Sequence, residues 1–358
     1  MLETMRTRTD DATNPLRRGL LAFYAFVHRI LAGAHRRWGT PAVAPLARQR
    51  VYGIVLLCAQ VGITFTGAIV RVTGSGLGCP TWPECQPGSL IPVGGTTPWV
   101  HQAIEFGNRL LTFVVAVAAI ACFLAVVRAG RRNSIIDLAF VQGIGIIVQA
   151  VLGGISVHLG LAWWSVAMHF LPSMALVFMA AVLVTKIGEP DDGRKRPFMP
   201  RPLRYLATGS AVLLGVTLVT GTMTTGAGPH AGDAAVRPED RLQIPLIEIA
   251  NLHAHGMYIY LGVTIGLLAG LIAVKVDVPL RRATLLLIAG IVVQAAVGIV
   301  QYWLGVPRWT VPLHVVGAGI VTAGTGFVWA RRYRYVEGVA HHSGSLEGDS
   351  TLASSYDG

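Results

Sequence analysis

Charge is what this chain lacks most. Asp, Glu, Lys and Arg make up only 13% of its 358 residues, while 53% are hydrophobic. A soluble surface normally carries about a quarter charged residues, so a soluble domain of this length is excluded. No cleavable signal peptide is expected from the first residues either. Met1–Pro15 is polar, and the apolar stretch Leu20–Leu31 is broken by His28 and Arg29 and too short to cross a bilayer. That stretch is expected to form an interfacial helix on the cytoplasmic face. Acidic residues are few, 18 against 29 basic ones, which leaves a net charge of +11. The basic residues flank apolar runs, where they set membrane orientation, so no nucleic-acid partner is expected.

What is present is a series of apolar runs long enough to cross a hydrocarbon core of about 30 Å. Eight spans are expected, at Val51–Val70, Ile104–Val127, Ile135–Ile155, Trp163–Lys186, Arg204–Thr224, His253–Val274, Arg282–Leu304 and Val311–Ala330. Basic residues alternate from one connection to the next. One side of the membrane receives 24 of the 29 Lys and Arg residues, and the other holds Arg71, Arg109, Arg237, Arg241 and Arg308. This asymmetry puts both termini in the cytoplasm and the chain in the plasma (inner) membrane as a multi-pass protein in a lipid bilayer. The segment 335–358 is Ser/Gly-rich and acidic and is expected as a disordered cytoplasmic tail.

The two halves repeat one another. Gln149-Ala-Val-Leu-Gly153 returns as Gln294-Ala-Ala-Val-Gly298, a shift of 145. The same shift carries Leu159-Gly160 onto Leu304-Gly305, Trp164 onto Trp309, His169 onto His314 and Asn108 onto His253. Thr66-Gly67 returns as Thr220-Gly221 at a shift of 154, so the first half holds nine more residues between its first two spans. The expected fold is an all-α membrane protein, eight transmembrane helices arranged as two tandem pseudo-symmetric four-helix bundles. An even number of spans per repeat keeps both copies in one orientation, related by an axis along the membrane normal. The halves are 51–186 and 204–334, preceded by a cytoplasmic segment 1–50 and joined by a cytoplasmic linker 187–203.

Six histidines, His101, His158, His169, His253, His255 and His314, sit at or near the outer ends of spans. Each alone could be an interface residue bonded to backbone or headgroups. The repeat puts His253 and His314 at equal depth on two helices, the arrangement that bis-His haem ligation needs. In the first half His169 matches His314, but Asn108 stands where His253 would be matched. One turn before Asn108 lies Glu105, with Arg109 four residues beyond it. The carboxylate either forms an interfacial ion pair or serves charge or proton chemistry beside the first site. Cys79 and Cys85 share an outer loop rich in Gly and Pro, on the oxidising side, where a disulfide is favoured. That bond could brace the loop or act in redox. Arg71, Arg109 and Arg308 lie at the outer boundary, where they could meet haem propionates or lipid headgroups.

The segments Arg71-Val-Thr-Gly-Ser-Gly-Leu-Gly-Cys79-Pro-Thr-Trp-Pro, Ile104-Glu105-Phe-Gly-Asn108-Arg109-Leu, His169, Leu252-His253-Ala and Leu313-His314 together resemble the haem A synthase family. The resemblance spans roughly Val51 to Tyr333 and departs from the family at Asn108, where the family usually has His. It implies a membrane oxidoreductase that acts on a CH or CH2 group, oxidising a ring methyl of haem O to a formyl group by successive hydroxylations. The product, haem A, serves cytochrome oxidase. It also implies a haem B held by His253 and His314 in the second half. In the first half it implies a haem O site held by His169, with haem A as product and Glu105 assisting. A haem O synthase and cytochrome oxidase assembly factors are the implied partners, while the electron-transfer partner is not identified by it. On the residues alone, a dihaem b-type electron-transfer protein without substrate oxidation, or a transporter with a parallel repeat, also remains open.

Overall fold

In the computed structural model, residues 15–38, 44–94 and 97–336 are described. Eight helices are long and apolar enough to cross a membrane. They are α2 (Leu46–Thr73), α3 (Trp99–Arg128), α4 (Asn133–His158), α5 (Trp163–Ile187), α6 (Arg201–Ala227), α7 (Leu246–Ala273), α8 (Val278–Trp303) and α9 (Thr310–Ala330). They are preceded by α1 (Pro15–Trp38). The expected helix at Leu20–Leu31 is therefore longer at both ends. The expected tail from residue 337 onward lies outside the described residues.

Several spans begin earlier than hydropathy alone places them. Prolines Pro45, Pro98, Pro200 and Pro245 stand immediately before α2, α3, α6 and α7. Proline has no N–H to lose and its φ is preset for the first turn, so it starts a helix wherever the chain then allows one. His253 consequently lies seven residues inside α7, about 10 Å from its start. It is a residue of the helix body and not of its end.

Within each half, every helix packs on its sequence neighbours and the first packs on the fourth. This closes two rings, α2–α3–α4–α5 and α6–α7–α8–α9. Across the interface α5 packs on α9, while α2 packs on α9 and α6 on α5. The last two pairings exchange under the repeat, and the α5–α9 pair maps onto itself, as a two-fold relation between the halves requires. The axial pair comes very close. A Cβ on Gly326 would sit 2.8 Å from the Phe178 carbonyl oxygen, so glycine is what permits the contact. One turn on, the Phe178 and Trp329 rings meet edge to face, 5.4 Å between centroids. Large apolar side chains such as Phe113, Val117 and Leu286 point outward from the bundles, as lipid-facing surfaces do.

The end of the bundle that carries the expected cytoplasmic loops is tied by ions. Arg131 is buried and donates to Asp191, to Gln49 Oε1 and to the carbonyls of Ile187 and Glu189, at 2.8–2.9 Å. Glu189 accepts from Arg132 at 2.8 Å and Lys186 at 2.7 Å. The linker also holds a strand that hydropathy does not announce. β1 (Arg194–Pro197) pairs antiparallel with β2 (Tyr333–Val336), which takes in the first two residues of the segment expected as tail. α1 packs on α3, with Tyr24 fully buried and donating to Asp137 at 3.0 Å. Burial, with the Asp137 carboxylate beside it, pushes the Tyr24 hydroxyl well above its usual pKa.

Removing the Arg131 side chain leaves two buried carbonyls and a buried amide oxygen without their donor, while Asp191 keeps only the Arg132 N–H. Arg131→Ala should lower stability by about 2 kcal/mol or more, read as a drop of several degrees in thermal unfolding in detergent. An unchanged unfolding temperature would mean that water replaces the guanidinium at no cost.

Candidate functional site

The histidines singled out by the repeat all lie against glycines. A Cβ on Gly298 of α8 would sit 3.0 Å from His314 Cε1 of α9. On Gly221 of α6 it would be 3.1 Å from His253 Cε1 of α7, and on Gly153 of α4 it would be 3.2 Å from His169 Cε1 of α5. In each helix pair the first helix supplies a glycine notch and the second lays an imidazole across it. The backbone fixes the ring further. His253 Nδ1 lies 3.0 Å from the Thr217 carbonyl oxygen and 3.3 Å from Thr220 Oγ1. With Nδ1–H donated to that carbonyl, Nε2 keeps its lone pair, the state a metal needs. Thr217 precedes Gly221 by four residues, as Gln149 precedes Gly153. His169 Nδ1 itself is buried and has no hydrogen-bond partner.

His253 and His314 come together, with ring centroids 6.3 Å apart and planes at 64°. Two imidazoles on opposite faces of one metal, bonded through nitrogen at about 2 Å each, would put their centroids about 6 Å apart. Among the described residues no group of three or more His, Cys, Asp or Glu could hold a bare metal ion. A two-imidazole centre suits a metal that brings its remaining ligands in a macrocycle. The residues present therefore fit a bis-His haem.

The fourth notch differs. A Cβ on Gly67 of α2 would meet nothing within 4 Å. Asn108 of α3 faces this place, and its Oδ1 accepts from Thr66 Oγ1 at 2.7 Å. Thr66 is the repeat counterpart of Thr220, so the same hydroxyl reaches the same position. The shorter amide stops short of the notch and its oxygen is already taken.

The outer loop of the first half carries a cysteine pair that the outer loop of the second half lacks. Cys79 and Cys85 are joined in a disulfide. The Cys79 N–H donates to Glu105 Oε2 at 2.7 Å, and Arg109 donates to Glu105 Oε1 at 2.6 Å. Arg109 also donates to the carbonyls of Cys79, Thr81 and Glu84 at 2.9–3.1 Å. Glu105 is thus an ion-paired, buried carboxylate that clamps the loop onto α3. Gly78 allows the close approach, since a Cβ there would sit 2.4 Å from the His101 carbonyl oxygen. Trp82 of the same loop packs on Gly154, the neighbour of the glycine that seats His169. His158 Nε2 donates to the Trp82 carbonyl at 3.1 Å.

The remaining candidates are placed less tellingly. Arg71, near the end of α2, donates to the Thr225 carbonyl near the end of α6 at 3.1 Å, and Gly76 N–H donates to the Gly232 carbonyl at 2.9 Å, so the first bond ties two helix ends and the second the two outer loops. Arg308 is exposed beside the start of α9. His230 bonds the Val306 carbonyl at 2.8 Å, an ordinary loop contact. The glycine notches and the two threonines were missed as site residues, although Thr66-Gly67, Thr220-Gly221, Gly153 and Gly298 marked the repeat.

Fold and site together define a duplicated eight-span membrane protein with a paired-imidazole centre in its second half. The sequence profile of the COX15-CtaA family, described as cytochrome oxidase assembly protein, matches residues 50–324, and the chain belongs to that family. It is 31% identical over 159 residues to the heme A synthase of Alkalihalophilus pseudofirmus, covering 44% of this chain and 52% of that one. It is 32% identical over 182 residues to the heme A synthase of Lysinibacillus sphaericus, covering 49% of this chain and 56% of that one. The heme A synthase of Exiguobacterium sibiricum is 31% identical over 175 residues, 46% of this chain and 58% of its own. The chain thus spans a little over half the length of these curated relatives in each match.

If Arg109 and Glu105 hold the loop down, releasing them should expose its disulfide. Arg109→Ala removes the donors to three loop carbonyls. It should speed reduction of Cys79–Cys85 by a water-soluble thiol about tenfold, the equivalent of about 1.4 kcal/mol of local stability. Thiol trapping and mass spectrometry read this directly, and an unchanged rate would mean that the loop is held by packing alone.

Proposed function

We propose that this protein is a haem A synthase that oxidises a ring methyl of haem O to a formyl group. The observation that carries the reading is the His253–His314 pair, whose ring spacing suits a haem, in a chain of the cytochrome oxidase assembly family. The names of the relatives support the same reading. In it, 204–334 is the haem B half and 51–186 the substrate half. Both termini are in the cytoplasm of a cell whose plasma membrane holds the protein. A haem O synthase supplies the substrate, and cytochrome oxidase assembly factors receive the product.

Haem B in the second half would be held by His253 and His314, and it supplies one-electron chemistry there. Two imidazoles holding it would suit a haem that carries electrons and does not bind substrate. In the first half His169 is the one imidazole set against a notch, and Asn108 is tied to Thr66. This half therefore offers one imidazole to a bound substrate haem where the second half offers two. The Cys79–Cys85 loop lies over this half and shields it from the aqueous phase. Glu105 places a carboxyl group one turn from Asn108, suited to stabilising positive charge on the substrate or to passing a proton. Arg71, Arg109 and Arg308 mark the outer edge where propionates would end. An electron-transfer protein with two equivalent haems would not need the disulfide-bearing loop clamped over one half, which favours the synthase.

Replacing either His253 or His314 by Ala should abolish the low-spin haem B spectrum of the purified protein. Survival of the full low-spin signal in both variants would remove these ligands from the account. Glu105→Ala should leave haem content nearly intact and lower haem A yield at least tenfold, while Arg109→Ala, which frees the loop but keeps the carboxylate, should lower it far less. Equal losses in the two variants would reduce Glu105 to a loop anchor.

A further inference from the structure

The two halves treat one matched glutamine in opposite ways. In the second half Gln294 Nε2 donates to the carbonyl of His314 at 2.8 Å. That pose exists only because residue 317 is glycine, for a Cβ on Gly317 would lie 1.9 Å from Gln294 Oε1. Gln294 is thereby fixed against the helix that carries the second-half ligand. In the first half the matching residues are Gln149 and Pro172. The proline ring excludes the pose that Gln294 adopts. The His169 carbonyl instead accepts from Ser173 Oγ at 3.0 Å, where the second half has Ala318. Gln149 is left with both Nε2 and Oε1 buried and without any hydrogen-bond partner.

A carboxamide stranded in an apolar interior costs several kcal/mol unless something bonds it. Its place says what that something is. Gln149 lies one helical turn from Gly153, the notch that seats His169. It sits on the side away from the disulfide loop, about 6 Å deeper along α4. We propose that Gln149 is the residue by which the first half selects its macrocycle. It would bond a hydroxyl carried on the ring edge opposite the propionates. The inference rests on the first half being the substrate half. Haem O has such a hydroxyl at the root of its isoprenoid chain, whereas haem B has a vinyl group there and offers the amide nothing. A site built to bond a hydroxyl discriminates against the analogue lacking it, because its own polar group is then left unpaired. The second half, with Gln294 already bonded to the protein, takes the less polar haem.

The test uses the full-length protein, purified from cells that make both haem B and haem O, with haems extracted and quantified by chromatography. Low-spin absorption from the His253–His314 centre checks folding in every variant. Gln149→Leu, close in volume, should lower the ratio of haem O to haem B bound in the first half about fivefold to tenfold, the worth of one buried hydrogen bond. Pro172→Gly should do the same by a different route, since it lets Gln149 dock onto the His169 carbonyl as Gln294 docks onto that of His314. A first half that keeps its full preference for haem O in both variants overturns the proposal. His169→Ala separates this from failure of the underlying reading. If first-half haem survives that change, the site itself is misplaced, whereas loss of all first-half haem with preference unchanged in Gln149→Leu overturns the role of Gln149 alone.

Discussion

An imidazole laid across a glycine notch on the neighbouring helix is the contact on which the rest of this structure depends. Two membrane helices in van der Waals contact leave no room for a ring between them. Removing the Cβ at Gly153, Gly221 and Gly298 makes that room, and the ring that enters is then fixed by backbone on one side. At His253 the Thr217 carbonyl completes the seat and points the other nitrogen away. The notch is costly to a helix in water, where glycine destabilises it by about 1 kcal/mol. In a membrane, small residues at helix interfaces are how helices pack at all. The same device therefore builds the bundle and holds the ring.

Duplication turns one such device into a division of labour. The pairs α6–α7 and α8–α9 aim two rings at one another. The pairs α2–α3 and α4–α5 keep the same glycines, but the first of them receives an asparagine. Other differences between the halves also fall in the first. The loop with its disulfide is pinned by Glu105 and Arg109 over the first half, and Pro172 and Ser173 stand where the second half has Gly317 and Ala318. The α5–α9 contact joins the halves at their axis, and Arg71 ties the outer end of α2 to that of α6.

Much of this was legible in the sequence because hydropathy and repetition act over long windows. The eight spans, the tandem bundles, the pairing of His253 with His314 and the Cys79–Cys85 bond follow from patterns that many residues share. What escaped was local. Helix starts are set by single prolines, so α7 begins at Leu246 and not at His253. Strand β1 lies in a run of exposed basic residues whose partner, Tyr333–Val336, is distant in sequence. The glycine notches were visible as letters but not as seats, because glycine is common in membrane helices and its meaning depends on what faces it. Glu105 was read as either a paired or a working carboxylate, and only the fold shows how completely Arg109 and the Cys79 amide occupy its oxygens.

The central claim is that the two halves hold haem by different numbers of protein ligands, two through His253 and His314 and one through His169. A low-temperature electron paramagnetic resonance spectrum of the oxidised protein, loaded with haem in both halves, tests it most directly. The account predicts one low-spin signal of bis-imidazole type and one high-spin signal. The high-spin signal should convert to low-spin in Asn108→His, where the restored ring can reach the Gly67 notch. Two low-spin signals from the unaltered protein would contradict it.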